Sequence, residues 1–512
     1  MRNNLKIKQR RYTKKNFQDN KLKVEDHNFE LKLEEALNSY QTANYQDALE
    51  KLKYLKINKD HFLINWYLGH TYFKLSEYNL AIESIKKSIQ LKSKDSLNLN
   101  FLAELYKATN EYDLAILILE ESLALDAKNK NTLISLAQAH TDKGSFEKAE
   151  KYYLLVLELE KNNYGVFYQL IKLERKYLTQ ELVDKIKSDL KNTIKSENKI
   201  YANLILAQNE NSKNEFNNEI KLLNNSHSLY LEGRKIAAKE EWNYYDTLLP
   251  QFIKKCSDDN IKINKKIRPI FILGMPRSGT TLVENIIGAG SKKIIIGGET
   301  NAFDSVFFSK KIIKDINSQV LKTDFNFKKD DYEILSENLI YQYDQLKLIN
   351  INKNNIFTDK SITNFFYIDV IKKIFPEAKF IYCSRNPFAN ILGILKNFLP
   401  HLLWSHSTEK IFKYFDLIMQ KLDNELKTKN SNFKVINLEE LSSDPKKISK
   451  ELFDFLNIEW SESSINLKKD NIIKTASSIQ LRKPIEKHDL SYLKNYHNIF
   501  KEIGNDYKWF KN

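Results

Sequence analysis

The sequence predicts an α-helical repeat array followed by an α/β domain with a parallel sheet. Three observations carry that reading. An aromatic residue followed three positions later by alanine recurs at Tyr45/Ala48, Tyr78/Ala81, Tyr112/Ala115 and Phe146/Ala149, with alanine spacings of 33, 34 and 34 residues. Glycine and proline number only 12 and 8 in 512 residues, against roughly 12% in average usage, so long helices dominate. Six of the twelve glycines lie between Gly274 and Gly298, just after the apolar run Pro269–Leu273, which reads as a buried strand.

The length corresponds to about two to four domains. The chain divides into a basic, disordered arm (1–28), a repeat region (29–165), a helical continuation or linker (166–262) and the α/β domain (263–512). The first 23 residues carry nine basic side chains and one acid, Asp19, which is more than half of the net charge of +15. Such an arm suits an anionic surface or a solvated tail, and the charge left over gives no case for a nucleic-acid-binding core. Hydrophobic residues at 42% and charged residues at 29% exclude disorder throughout. No apolar stretch approaches the ~18 residues of a transmembrane helix, and no apolar segment follows the basic N-terminus as in a signal peptide. Cys256 and Cys383 are the only cysteines, which excludes a disulfide framework and predicts a reducing, cytoplasmic setting.

In the repeat region, a Leu–small pair precedes each later alanine: Leu68-Gly69 with Tyr72, Leu102-Ala103 with Tyr106, Leu136-Ala137 with His140. A small residue at a fixed point lets two helices approach, and large apolar residues at i, i+3 and i+4 fill the seam. These residues make a stacking core, and the pattern resembles the tetratricopeptide repeat. The resemblance implies a superhelix whose concave face takes a peptide or protein partner; a rigid spacer or dimerisation arm is the alternative. Residues 166–262 read as degenerate repeats.

The catalytic half opens with Gly274-Met275-Pro276-Arg277-Ser278-Gly279-Thr280-Thr281, followed by a helical pattern from Leu282 to Ile287. Strand, glycine loop and helix together aim backbone N–H groups and the positive end of a helix dipole at an oxyanion. The spacing Gly274 to Gly279 is that of a P-loop, yet Thr280-Thr281 stands where a nucleotide triphosphatase has Lys-Ser/Thr. That lysine serves the β- and γ-phosphates together with magnesium. Here the cation, Arg277, sits inside the loop, so the site reads as built for a nucleotide with a short anionic tail and no metal.

These residues resemble the 5′-phosphosulfate loop of sulfotransferases, which use 3′-phosphoadenosine 5′-phosphosulfate as co-substrate. The resemblance assigns Pro276, Arg277, Ser278, Gly279, Thr280 and Thr281 to donor binding. Ser384-Arg385-Asn386-Pro387, ending the strand-like Lys379–Cys383 run, is similar to the family's 3′-phosphate segment, where Arg385 can make two charge-assisted bonds to a phosphate monoester. At the position of Gly393 the family usually has a serine that also contacts this phosphate. Within the family, the chain is most similar to tyrosylprotein sulfotransferases and allied bacterial repeat-bearing enzymes. Gly298-Glu299-Thr300 matches their Gly-Glu-Glu-Thr segment with a catalytic Glu, Asp359-Lys360-Ser361 their Asn/Asp-Lys segment, and Ser477–Ile485 a closing Ser-x-x-Gln-x-x-Lys-Pro segment that includes Ser477 and Lys483. Gly298 replaces the first Glu, and Leu438 stands where a cofactor-contacting Tyr is common; these departures imply weaker donor binding or a different acceptor, and at Gly393 one phosphate contact is either missing or supplied by backbone. The implied fold is a tetratricopeptide superhelix followed by a P-loop-like sulfotransferase domain.

The implied chemistry is in-line transfer to a hydroxyl, most of all a protein tyrosine, with a glycan as the other acceptor class. Glu299 is then the general base, its pKa raised by burial so that it can take a proton from a phenol of pKa about 10. Arg277 and Lys360 neutralise the moving charge. A P-loop nucleotide kinase, or a repeat scaffold with a degenerate transferase domain, are the rival readings. The nine histidines form no zinc-protease arrangement, His401 and His406 read as surface or lid residues, and Cys383 as a strand filler.

Overall fold

In the computed structural model of the protein the described residues are 27–92, 95–192, 194–248, 267–307, 329–349, 355–466 and 485–511. The basic arm lies outside them except for His27 and Asn28, which open the first helix instead of belonging to the arm. The chain forms two compact units, Met1–Ala108 and Thr109–Asn512.

The first unit is built from α1 (His27–Gln41), α2 (Tyr45–Asn58), α3 (Phe62–Lys74), α4 (Tyr78–Leu91) and α5 (Ser96–Ala108). Helices α2 and α4 start at the repeat aromatics Tyr45 and Tyr78, and the residue two positions earlier, Ala43 or Ser76, turns the chain with φ +62°. The motif alanines are fully buried. Gly69 shows why the adjoining position must be small: a Cβ there would stand 2.5 Å from Ile85 Cγ1 across the seam.

The second unit repeats the device. Its helices are α6 (Tyr112–Leu125), α7 (Lys130–Lys143), α8 (Phe146–Leu159), α9 (Tyr164–Leu173), α10 (Gln180–Asp189), α11 (Ser196–Ser212), α12 (Phe216–Glu232) and α13 (Lys235–Asn243). Asn110, Gly144 and Asn214 occupy the same left-handed turn before Tyr112, Phe146 and Phe216. The hairpins therefore continue past residue 165, with the seam alanine replaced by Val183 in α10 and by Glu219 in α12. Glu219 is buried. It accepts bonds from Tyr496 Oη at 2.7 Å and Asn211 at 2.9 Å, and pairs with Lys396 at 3.0 Å.

A five-stranded sheet follows: β1 (Ile267–Leu273), β2 (Ile294–Ile295), β3 (Asn355–Asp359), β4 (Lys379–Ser384) and β5 (Phe433–Asn437), in the order β2-β3-β1-β4-β5 and parallel throughout. Helix α14 (Thr280–Gly290) packs Val283, Ile286 and Ile287 on Ile270, Ile272, Ile381 and Ile436 of the sheet. Cys383 belongs to this core, and burial pushes its thiol well above the usual range. Because the strands are parallel, β1, β3 and β4 deliver their C-terminal loops to one edge. Strand order reverses at β1, the place where open α/β sheets take their ligands.

Helix α15 (Ala302–Phe307), helix α16 (Lys329–Gln345), helix α17 (Ile368–Ile374), helix α18 (Pro387–Lys396) and helix α19 (Thr408–Lys427) surround the sheet. The segment after α18 is clamped by the array helices. His227 Nδ1 lies 2.8 Å from His406 Nδ1, Tyr230 donates to the Pro400 carbonyl, and Glu241 accepts from the backbone of Leu403 and Trp404. His406 is thus buried at a helix junction rather than on a surface or lid. No described helix is long and apolar enough to cross a membrane.

Candidate active site

The loop from Gly274 to Gly279 joins β1 to α14. Gly274 has φ +151°, and a Cβ there would fall 2.5 Å from Ser278 Oγ and 2.8 Å from the Cys383 carbonyl, so glycine lets the loop fold against β4. Gly279 caps α14 at φ +96°. Arg277 adopts φ +69°, a conformation that costs a non-glycine residue about 1 kcal/mol or more and clusters at functional sites. Two bonds hold it there. Arg385 Nη1 donates to the Arg277 carbonyl at 2.8 Å, and Asn390 Nδ2 donates to the Pro276 carbonyl, also at 2.8 Å. With these carbonyls engaged, the loop is held by the β4–α18 segment.

The two arginines are close enough to affect each other. Burial, then the neighbouring Arg385, lowers Arg277 to about 10; burial lowers Arg385 too, against the opposite pull of Tyr492 and Glu439. Both remain cations at neutral pH. Among the described residues Arg385 Nε and Ser278 Oγ are buried without a hydrogen-bond partner, an arrangement that fits a bound oxyanion.

The second half of the site joins the loop after β2 to the end of β3. Gly297 N–H donates to Thr358 Oγ1 at 3.0 Å and Gly298 N–H to Glu284 Oε1 at 3.0 Å, while Thr358 donates to the same Glu284 oxygen at 2.7 Å. A Cβ on Gly297 would lie 2.1 Å from the Thr358 carbonyl, so this strand-like contact requires glycine. Asp359, fully buried, accepts from Thr300, Tyr343 and Ser361, and Lys360 N–H donates to the Gly298 carbonyl at 2.9 Å.

These bonds set Lys360 Nζ 3.0 Å from Glu299 Oε1. The Lys360 side chain is 3% exposed and that of Glu299 48%. The expected burial of Glu299 is therefore not found: its carboxylate reaches toward solvent on the arm of a buried lysine. Glu284, like Asp359, is buried, and desolvation raises its carboxyl against the pull of Lys360. For Lys360, burial works downward, but Glu299, Glu284 and Asp359 outweigh it and hold the ammonium above its ordinary value.

Pro276, Arg277, Ser278, Gly279, Thr280 and Thr281 thus form one loop with Arg385 bonded to it, and Glu299 meets Lys360 along the same sheet edge. Ser477 and Lys483 lie outside the described residues. At Gly393 a Cβ would stand 3.3 Å from Arg277 Cβ and 3.4 Å from Arg385 Nη1, so the position faces both arginines. Leu438 is buried against Gly279, 2.7 Å from where that residue's Cβ would be, and packs into the core beneath the loop. Sequence reasoning missed Glu284, Thr358 and Asn390. The available signal for Glu284 was an acid, followed by Asn285, inside the otherwise apolar Leu282–Ile287 pattern. Among the described residues no group of three or more His, Cys, Asp or Glu could hold a metal ion.

Comparison with known proteins gives the class. Residues 269–462 match the sulfotransferase family, and residues 66–95, 99–131 and 131–163 match tetratricopeptide repeats. The chain therefore carries a sulfotransferase-family domain behind tetratricopeptide repeats. An uncharacterized protein of Aquifex aeolicus (strain VF5) is 27% identical over 239 residues, 45% of this chain; the match spans 31% of that relative's length. The sulfotransferase domain of the Synechococcus PCC 7002 olefin synthase is 19% identical, covering 46% of this chain and 89% of that one, with a TM-score of 0.32. MamA is 18% identical over 31% of this chain and 97% of its own, with a TM-score of 0.28.

Proposed function

We propose that the protein transfers a sulfuryl group from 3′-phosphoadenosine 5′-phosphosulfate to a hydroxyl acceptor, a tyrosine of a protein or peptide. The observation that carries this reading is the coupling of two arginine-bearing turns: Arg385 is bonded to the backbone of Arg277 at 2.8 Å, so one nucleotide can reach both. The donor supplies an activated sulfuryl group whose S–O bond to the 5′-phosphate breaks as the acceptor oxygen bonds to sulfur. Ser278, Thr280 and Thr281 hold the 5′-phosphate at the start of α14. Arg385 holds the 3′-phosphate.

Lys360 and Arg277 stabilise the negative charge on the leaving phosphate. In the free site the Lys360 ammonium is occupied by Glu299. Drawing it toward the leaving oxygen frees the carboxylate, and Glu299 takes the acceptor's hydroxyl proton. Its exposure suits this role, because a macromolecular acceptor must reach it from solvent. The products are adenosine 3′,5′-bisphosphate and a sulfate ester. The repeats offer a surface for recruiting a protein acceptor.

Transfer of radiolabelled sulfate to a panel of tyrosine peptides, oligosaccharides and small phenols tests the reading. Label on peptides supports it, label on oligosaccharides alone replaces the acceptor, and no label on any member overturns it. Glu299→Gln is expected to keep adenosine 3′,5′-bisphosphate affinity and to lose turnover by roughly 10²–10⁴-fold.

A further inference from the structure

Glu299 and Lys360 each lead into a short helix, and the two helices are bonded to one another. From Glu299 the chain enters α15, and from Lys360 it enters the 3-10 helix Ile362–Tyr367. Close to the pair, Thr300 and Ser361 share Asp359, and Asn301 N–H donates to Ser361 Oγ at 2.8 Å. One turn further on, Asp304 of α15 makes a second tie. Thr363 Oγ1 donates to its Oδ2 at 2.7 Å, and Tyr367 Oη to its Oδ1 at 2.8 Å. Tyr244, which follows α13, lies 3.2 Å from the same Oδ1 and 2.5 Å from Tyr367 Oη. The Phe303 ring stacks on that of Tyr367 at 5.2 Å, so apolar and polar contacts join the same two helices.

We propose that Asp304 is a positioning residue of the transfer reaction: by anchoring α15 to the 3-10 helix it fixes Glu299 at hydrogen-bonding distance from Lys360. This deepens the sulfotransferase reading and rests on it for the reaction; Asp304 acts through Glu299 and not on the substrate. Three observations converge. The Glu299 side chain is 48% exposed, so close packing does not set where its carboxylate lies, and the backbone beneath it must. That backbone turns at Asn301 with φ +51°, a conformation asparagine tolerates, so the direction in which Glu299 projects depends on what anchors the two sides of the turn. Asp359 anchors the first side and Asp304 the second. Finally, α15 has six residues, too few to hold a helix without tertiary bonds. Burial raises the Asp304 carboxyl, while Thr363, Tyr367 and Tyr244 pull it back by bonding to its charged form.

The test uses the full chain and the acceptor that takes label from the parent, with radiolabelled-sulfate turnover, adenosine 3′,5′-bisphosphate affinity and melting temperature read for each variant. Asp304→Asn is expected to lower kcat roughly tenfold through misplacement of Glu299 and to leave bisphosphate affinity unchanged. In the Glu299→Gln background the same change is expected to add no further loss, because a positioning residue has nothing left to place once the base is gone. A purely structural residue would multiply the two losses. Tyr367→Phe keeps the ring on Phe303 and removes one bond; about a threefold loss of kcat, again silent behind Glu299→Gln, is expected, and it decides the matter if the asparagine variant does not fold. Parent-like kcat in these variants, a loss that multiplies with Glu299→Gln, or a matching fall in bisphosphate affinity overturns the proposal alone. A parent that transfers sulfate to no acceptor removes the sulfotransferase reading and this role with it.

Discussion

The repeat helices and the sheet edge bury different things for different reasons. In the repeats the motif positions Gly69, Ala81, Ala115 and Ala149 are small and buried, and at Gly69 the reason is Ile85 of the next helix, which leaves no room for a Cβ. At the sheet edge the buried residues include Glu284, Asp359, Lys360 and Asn390, which are polar or charged. Burying such groups costs stability unless each is bonded, and each of the four makes at least one of the bonds described above. The difference separates a region selected for stacking from one selected for binding. Substitutions in the first should move stability alone, and substitutions in the second should move ligand affinity or pH response.

Arg385→Ala should give the largest effect. Adenosine 3′,5′-bisphosphate affinity is expected to fall by about 100-fold or more, about 3 kcal/mol, with little change in melting temperature; calorimetry and thermal melting read the two quantities. Gly69→Val breaks the comparison from the other side. Its Cβ meets Ile85, and overpacking of that kind costs about 1–3 kcal/mol, so denaturant unfolding should weaken while nucleotide affinity stays put.

Glu284→Gln sharpens the comparison through pH. Desolvation raises this carboxyl in the folded state, so the stability it contributes is present below its unfolded value and is lost as pH rises through the folded one. The variant keeps an acceptor for Gly298 and Thr358 without the charge. Its melting temperature should gain on the parent between pH 5 and 8, by roughly 2–4 °C; a constant difference would sink the assignment. His140→Tyr gives the smallest effect. Burial lowers His140 to about 4, so stability falls as pH drops below the ordinary histidine range toward 4. Tyrosine, which the equivalent positions of two other repeats carry as Tyr72 and Tyr106, should shrink the loss of melting temperature between pH 7 and 5 by roughly 2 °C.

The same contrast explains what could be read from the residues alone. The repeats were legible because their contacts recur at a fixed spacing, and the strand–loop–helix around Gly274 because all its parts are contiguous. The hairpins α9–α12 blurred because Val183 and Glu219 occupy the seam position that marked the earlier copies. Glu284 could not be placed because its partner Thr358 lies 74 positions away. The expectation of a buried Glu299 failed for a related reason: the strands bring Lys360 beneath it, and a paired lysine holds the carboxylate outward.

Glu219 has one more consequence. Where the earlier hairpins pack an alanine, this one encloses a negative charge that is matched by Lys396 of α18 and Tyr496 near the chain's end. Transplanting the transferase portion behind a foreign scaffold would strand that carboxylate, or leave its lysine and phenol with nothing to hold. Chimeras joined between α12 and β1 should therefore misfold, and new acceptor preferences in this architecture are better sought by point changes than by swapping modules.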